Sequence, residues 1–489
     1  MTLTAGAPPA LLPLEDGEQY RFTFAMDACV GCHSCEVACA EQNNVPVGQA
    51  WRRVGEVEGG AFPHTRRFSL SIACNHCVEP TCLSGCPTNA YEKLANGIVA
   101  HHPDECVGCQ YCMWNCPYEV PVFNEQHRIV AKCDMCRPRI ETGQNPACVD
   151  ACPTRAIGVE PVNVAAWRAD HAAADAPGLP PSGITLSTTK VTARAAVPAD
   201  LRAVDDYRVV PQDPHWPLIA LTLLTQLSVG AGASTVLLAL TSGSRGLAGA
   251  AMAAFVAGAV ALGASTLHLG RPARALKALR NLRTSWLSRE VALFSAFAAL
   301  SFAYAFRPAV AALGLAAAAV GITGVYASAR IYLVPARPVW NSMRTPAAFF
   351  ATAAATGPLL TLLCLDRRTV APAWLAVLVV LAAAGTLAQA AVQAHLLCTA
   401  RRRVDRQHRG VAELTLGPFH TLFLLRILAI VAGLGLLLST AWAPLRGPAA
   451  GGRMAVALLV LAAGELAGRY LFYVTVVPYR IAGSFSRVR

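Results

Sequence analysis

Long apolar runs fill the second half of the chain and are few in the first. A helix needs about 20 mostly apolar residues to cross the hydrocarbon core of a bilayer. The hydrophobic pattern predicts eight segments near that length, of which the third is the shortest. They lie at roughly 217–240, 246–270, 290–306, 309–334, 346–365, 371–398, 419–442 and 454–477.

The first half is organised differently. Residues 1–152 hold most of the cysteines, whereas 153–215 is rich in Ala, Pro and Asp. The prolines of "PQDPHWPL" (211–218) mark the approach to the membrane, because proline interrupts regular structure. We expect an α+β domain over 1–152, an extended tail or linker over 153–215 that packs on it, and an all-α membrane anchor over 216–489.

Charge follows the same division. The chain is 54% hydrophobic and only 14% charged, whereas soluble domains are about a quarter charged; this composition excludes a disordered chain. The first 215 residues hold 16 basic and 24 acidic residues, and the remainder holds 25 and 5. The overall charge of +12 therefore comes from arginines around apolar segments, and we expect no nucleic-acid partner.

An even number of spans places both ends of the membrane half on one side, called side A here, and we expect the cysteine-rich first domain and its partner subunit on that side too. The loops and tail of side A carry 17 Lys and Arg, against 6 on the opposite side B. The positive-inside rule then favours a cytoplasmic side A, although arginines that dock to an acidic domain would give the same bias. The N-terminus has neither a basic region nor a long apolar core, so we expect no export signal there.

Sixteen of the 18 cysteines form four tetrads. The C-x2-C-x2-C-x3-C-P run is typical of bacterial ferredoxins, in which three thiolates bind one [4Fe–4S] cluster and the fourth reaches a second cluster. Structural zinc and disulfides are disfavoured alternatives, because zinc sites use separated C-x2-C pairs and disulfide frameworks rarely repeat this spacing. The spacing leaves open which tetrads pair. The tetrads are Cys29/Cys32/Cys35/Cys39, Cys74/Cys77/Cys82/Cys86, Cys106/Cys109/Cys112/Cys116 and Cys133/Cys136/Cys148/Cys152.

Over roughly residues 20–195, including "GQAWRRV", "CPTNAY", "CVGCQYC" and "CPTRAI", the chain resembles the four-cluster electron-transfer subunits of the dimethyl sulfoxide reductase family of molybdenum enzymes. The resemblance implies a ferredoxin-like fold with four [4Fe–4S] clusters, in which tetrad one pairs with four and two with three. Cys39 departs from the pattern in being followed by Ala40 rather than proline. The implied ligand groups are set I (Cys29, Cys32, Cys35, Cys152), set II (Cys133, Cys136, Cys148, Cys39), set III (Cys74, Cys77, Cys82, Cys116) and set IV (Cys106, Cys109, Cys112, Cys86).

Ionisable residues in membrane spans are costly and mark functional sites. His268 and Glu290 lie at span ends on side A, and Glu465, Arg469 and Tyr473 share one helical face. The alternative for each is a structural contact between helices; Arg426 and Arg469 could both pair with Glu465. His268, His395 and His420 are too few histidines for two bis-histidine haems, so no haem is expected.

This half also resembles a family, the eight-span quinol-oxidising anchor of the same reductases, through "STLHLGRPARA", "NLRTSWLSRE", "ARIYLVPARPVWN" and "GELAGRYLFY". The resemblance places His268 and Glu290 at the quinol site. Arg271, Arg330, Glu465 and Arg469 are further candidates for that site and its proton relay. The two subunits, separate chains in the family, are expected here as one fused chain.

Together these features predict a subunit that takes electrons from menaquinol and passes them through four clusters to a separate molybdopterin subunit that reduces a sulfoxide or N-oxide. The chain shows no molybdopterin site of its own. Alternatives are the reverse flow, from a formate- or hydrogen-oxidising partner into quinone, and another terminal reductase such as polysulfide reductase. A transporter with a regulatory ferredoxin domain is disfavoured, because few polar groups continue to side B.

Overall fold

The computed structural model describes residues 11–176, 178–193, 197–403, 405–440 and 447–483. Three arginines of the loop-charge count lie outside these ranges, namely Arg446, Arg487 and Arg489. The same holds for residues 1–10, the start of the segment in which we expect no export signal. The chain forms two compact units, Met1–Arg208 with Pro478–Arg489 and Val209–Val477. The domain boundaries expected at residues 152 and 215 stay a prediction about which segments fold independently.

The first unit combines small sheets with short helices. Its strands are β1 (Glu18–Ala25), β2 (Arg53–Gly59), β3 (Arg66–Ile72), β4 (Tyr91–Lys93), β5 (Val99–His101), β6 (Val122–Asn124), β7 (Ile129–Ala131), β8 (Ile157–Asn163), β9 (Lys190–Thr192) and β10 (Arg202–Ala203). Strand β1 pairs antiparallel with β8 and parallel with β9, and β2 lies between β3 and β10. Strands β4–β5 and β6–β7 form two hairpins. This mixed architecture confirms the α+β expectation.

The short helices of the first unit are α1 (Ser34–Gln42), α2 (Thr81–Gly85), α3 (Tyr111–Asn115), α4 (Arg137–Glu141), α5 (Ala147–Asp150) and α6 (Val164–Ala169). Five of these six lie within or directly after the cysteine tetrads, and α6 follows β8. In both Cys-Val-Gly-Cys loops the glycine has positive φ, 67° at Gly31 and 70° at Gly108, a conformation that glycine adopts without steric cost. These tight turns let neighbouring thiols face one space.

The core of the first unit includes a segment from the far end of the sequence. Ile481 and Ala482 are 1% exposed and pack with Val54, Val57 and Leu70. A Cβ atom at Gly55 would lie 2.1 Å from the Ala482 carbonyl carbon, so only glycine permits this approach. The polypeptide therefore returns to its first unit after the last membrane span.

The regular structure in the described residues of the second unit is helical throughout. Its described helices are α7 (Trp216–Ser242), α8 (Ala248–Thr266), α9 (Trp286–Phe306), α10 (Ala311–Ile331), α11 (Arg344–Cys364), α12 (Pro372–Arg402), α13 (Arg406–Leu416), α14 (His420–Thr440) and α15 (Pro448–Val474), with a 3-10 helix at Pro272–Leu279. Among the described residues, eight are long and apolar enough to span a membrane, all but α13. The prediction of a multi-pass membrane protein is confirmed.

Two span limits differ from the sequence estimate in a way that matters for the site. Helix α9 begins at Trp286, one turn earlier than expected, because Ser285 caps it by accepting a bond from the Ser288 N–H at 3.4 Å. Glu290 therefore lies inside the helix. Helix α8 ends at Thr266, so His268 lies in the loop that follows rather than at the end of a span.

Candidate functional site

The cysteines of set III surround one cavity. A space of about 370 Å³ is lined by Cys74, Cys77, Cys82 and Cys116, together with Lys132 and other residues of the first unit. These four thiols come from two segments more than 30 residues apart, the second tetrad and the end of the third. The fold thus brings together the group that the family resemblance implies.

The remaining sets also have their members as neighbours. Cys29 interacts electrostatically with Cys32, Cys35 and Cys152. In set II, Cys39 interacts with Cys136 and Cys148, and Cys133 interacts with Cys39 and Cys148. In set IV, Cys109 interacts with Cys86 and Cys106, and Cys112 interacts with all three. Tetrad one thus meets tetrad four, and tetrad two meets tetrad three.

The surroundings of the thiols fit an iron–sulfur cluster. All 18 cysteines are free. The Ala90 and Ala156 N–H groups donate to Cys86 Sγ at 3.3 Å and Cys152 Sγ at 3.2 Å. Such donors stabilise thiolate charge and tune clusters. Each donor is the alanine of a Cys-Pro-Thr-x-Ala sequence, so this repeated motif is a sequence signal for the hydrogen bond.

In the membrane unit, His268 is half-buried. Its Nδ1 hydrogen-bonds to the Ser265 carbonyl oxygen, which requires the ring proton on Nδ1 and leaves Nε2 as an acceptor. Burial lowers the pKa of His268 to about 4. The ring is therefore neutral near pH 7, with Nε2 as a hydrogen-bond acceptor.

Glu290 is 4% exposed on α9, which packs against α10. Nearby on the same two helices, Arg330 lies 4.6 Å from the ring centre of Trp286, a cation–π contact. Glu290 and Arg330 thus lie on two helices that pack together. Arg271 directly precedes the 3-10 helix at Pro272–Leu279.

Two tyrosines extend the polar region around Glu290. The Tyr332 and Tyr473 hydroxyls hydrogen-bond to each other, and both interact electrostatically with Glu290. The His215 ring lies 6.0 Å from that of Tyr473 and interacts electrostatically with His268. Sequence reasoning missed His215 and Tyr332, although both lie within motifs quoted above, "PQDPHWPL" and "ARIYLVPARPVWN".

Glu465 and Arg469 lie elsewhere, in a cavity of about 740 Å³ among α11, α12, α14 and α15. Neither His268 nor Glu290 is among the described residues that line it. Of the other histidines considered, His395 and His420 are exposed. The structure therefore separates the candidate residues into two groups, one around His268 and Glu290 and one around Glu465.

Two bridging side chains connect Glu465 to Arg426 and Arg469. Among the described residues, no direct ion pair joins Glu465 to either arginine. Glu465 Oε2 accepts from Thr352 Oγ1 at 2.7 Å and from Gln389 Nε2 at 3.0 Å. Arg426 donates to Gln389 Oε1 at 3.2 Å, and Arg469 donates to Thr352 Oγ1 at 3.3 Å. All five side chains are buried. The carboxylate is thus the shared counter-charge of two buried guanidinium groups.

Comparison with known families accounts for most of the sequence. Residues 212–474 match the family described as DMSO reductase anchor subunit (DmsC), and residues 66–161 match the 4Fe-4S dicluster domain. The first match covers the whole helical unit apart from its ends. The second covers the last three of the four cysteine tetrads in full.

Individual relatives match the iron–sulfur part. Over 177 residues the chain is 40% identical to an anaerobic dimethyl sulfoxide reductase chain of Haemophilus influenzae, covering 34% of this chain and 86% of that protein. The corresponding dimethyl sulfoxide reductase chain of Escherichia coli is 38% identical over 153 residues, 30% of this chain and 75% of its own length. A sulfite dehydrogenase subunit of Allochromatium vinosum is 36% identical over 160 residues, 28% of this chain and 67% of its own length.

Proposed function

Because this protein belongs to the DMSO reductase anchor subunit family and joins to that anchor an iron–sulfur domain like that of its dimethyl sulfoxide reductase relatives, we propose that it oxidises a quinol and delivers the electrons to a separate molybdopterin subunit. The fused chain serves electron transfer and membrane anchoring in a complex of the DMSO reductase type. The proposal further specifies menaquinol as the electron donor, four clusters as the carriers and a sulfoxide or N-oxide as the substrate of the partner subunit.

The observation that carries the proposal is the grouping of the cysteines. The set III thiols share one cavity, and the thiols of the other sets neighbour one another in the same pattern. Four [4Fe–4S] clusters held in this way supply a series of one-electron carriers. The protein's own part is to hold the carriers in order and exclude water from them.

Quinol oxidation releases two electrons and two protons. We assign the acceptance of a quinol hydroxyl proton to His268 Nε2, because its Nδ1 proton is bonded to the Ser265 carbonyl oxygen. Glu290 is the proposed relay, with the Tyr332–Tyr473 pair beside it. Arg271 and Arg330 are proposed to support this site, and Glu465 and Arg469 to take part in proton passage from their own cavity.

One observation supports electron flow in the reverse direction, from a partner's substrate into quinone. One relative of the iron–sulfur domain is named as part of a sulfite dehydrogenase, and a dehydrogenase partner would send electrons from its substrate toward quinone. The anchor match favours the reductive direction. Identifying the large subunit that co-purifies with this chain separates the two.

The test of the quinol site is His268→Ala in the intact complex. We expect quinol-dependent cluster reduction to be lost while reduction by dithionite is retained, since dithionite does not need a quinol site. His395→Ala is the matched control, because His395 is exposed on α12. Quinol turnover at the parental rate in His268→Ala would reject the assignment.

A further inference from the structure

A buried arginine lies between set I and set II. Arg52 is 2% exposed, and its guanidinium group lies 4.6 Å from the ring centre of Phe22. It interacts electrostatically with Cys35 of set I and with Cys148, Cys133 and Cys39 of set II. Burial opposes the charge of Arg52, but these cysteines outweigh burial and raise its pKa.

No carboxylate neutralises this arginine among the described residues. One terminal nitrogen of Arg52 donates to Ser71 Oγ at 3.1 Å, while Nε and the other terminal nitrogen have no hydrogen-bond partner. The adjacent Arg53 is different, because it pairs with Glu36 at 3.6 Å. A buried cation without a paired anion is costly, so the counter-charge of Arg52 has to come from the two cysteine sets.

A buried lysine occupies the equivalent place between set II and set III. Lys132 is 4% exposed and lines the set III cavity. Its ammonium group donates to the carbonyl oxygens of Val99 and Cys133. It interacts electrostatically with Cys74 and Cys82 of set III and with Cys133 of set II.

His76 adds a neutral donor at the same junction. The ring is fully buried, and Nδ1 accepts from the Val99 N–H at 3.0 Å. The ring proton must therefore lie on Nε2, which is 4.0 Å from Cys133 Sγ. His76 stands in sequence between two set III cysteines but directs its N–H toward set II.

Set II is thus the group that faces both buried cations. A fixed positive charge in a low-dielectric interior favours the more negative, reduced form of a neighbouring cluster, and so raises its reduction potential. On the proposed assignment of four clusters, we propose that Arg52 and Lys132 are potential-tuning residues that act together on the set II cluster. Arg52 also acts on set I, and Lys132 on set III.

The experiment is a redox titration of the intact complex, followed by the electron paramagnetic resonance signals of the individual clusters. Arg52→Gln and Lys132→Gln are each expected to lower the midpoint potentials of two clusters, and one cluster is expected to respond to both. In the double variant that shared signal shifts by the sum of the two single shifts. Arg53→Gln, the control, leaves all four potentials unchanged.

Charge-conserving variants separate the effect of charge from a packing defect. Arg52→Lys and Lys132→Arg should keep the parental potentials with full iron content. The proposal is overturned if the neutral variants keep their potentials, if no signal responds to both, or if the charge-conserving variants shift as far as the neutral ones. Parental protein without iron and labile sulfide would instead overturn the proposed function itself.

Discussion

The shared counter-charge at Glu465 makes a quantitative prediction about stability. Glu465→Gln preserves the side-chain shape and an oxygen that can accept from Thr352 and Gln389, so chiefly the charge is lost. The carboxylate has two guanidinium partners, and each pair of unit charges about 6 Å apart interacts by about 3 kcal/mol at an effective dielectric constant of 20. Because the guanidinium groups are bridged rather than in contact, and because a neutral amide costs less to bury than a carboxylate, we expect a net loss of roughly 3–5 kcal/mol, the range for breaking a buried pair.

Glu465→Ala should cost more, because it also removes the acceptor of two buried hydrogen bonds, each worth about 1 kcal/mol or more. The assay is reversible unfolding of the membrane protein in mixed micelles with increasing dodecyl sulfate, followed by loss of helix signal. Glu413→Gln is the control, since Glu413 is exposed on α13. Equal stability of Glu465→Gln and the parental protein would refute the counter-charge argument.

Four other predictions concern other parts of the chain. Anaerobically purified protein should contain about 16 iron and 16 acid-labile sulfide per chain, from four clusters of four, and stoichiometric zinc without sulfide would contradict this. Asp405 caps α13 by accepting from the His408 N–H at 3.0 Å; burial acts to raise its pKa, but the bonds from His408 outweigh burial and hold the pKa below its ordinary value. The stability it contributes is therefore complete at neutral pH and is lost as the pH falls through that lowered pKa, so Asp405→Ala should flatten the acid limb of the unfolding curve. A reporter fused after Arg489 should be active in the cytoplasm, and periplasmic activity would contradict the cytoplasmic assignment of side A. Turnover with quinol and sulfoxide should build no membrane potential, because the protons released from quinol and those consumed by sulfoxide reduction cancel on side A. A sustained potential would contradict that proton balance.

The number of spans could be predicted from the sequence because it depends on local composition. A bilayer demands a run of apolar residues wherever the polypeptide crosses it, and eight such runs are visible without any knowledge of packing. The limits of α8 and α9 were less accurate. Hydrophobicity does not show that Ser285 caps a helix or that Leu267 ends one, and these two residues decide where His268 and Glu290 lie.

The cysteine spacing determined the kind of cofactor in the same local way, since the first three ligands of a cluster lie within one loop. The fourth ligand comes from a distant segment, and its spacing left several pairings open. The tertiary structure is what brings Cys116 to Cys74 and Cys152 to Cys29.

The buried polar partners depended entirely on the tertiary structure. Tyr332 and Tyr473 are 141 residues apart, and the cysteines near Arg52 come from the first and the last tetrad. A single side chain carries no sequence signal for a partner on another helix, because helical periodicity reports only which face is apolar. Sequence alone therefore determined the segments and their chemistry, and the packing of distant segments decided which charges face one another.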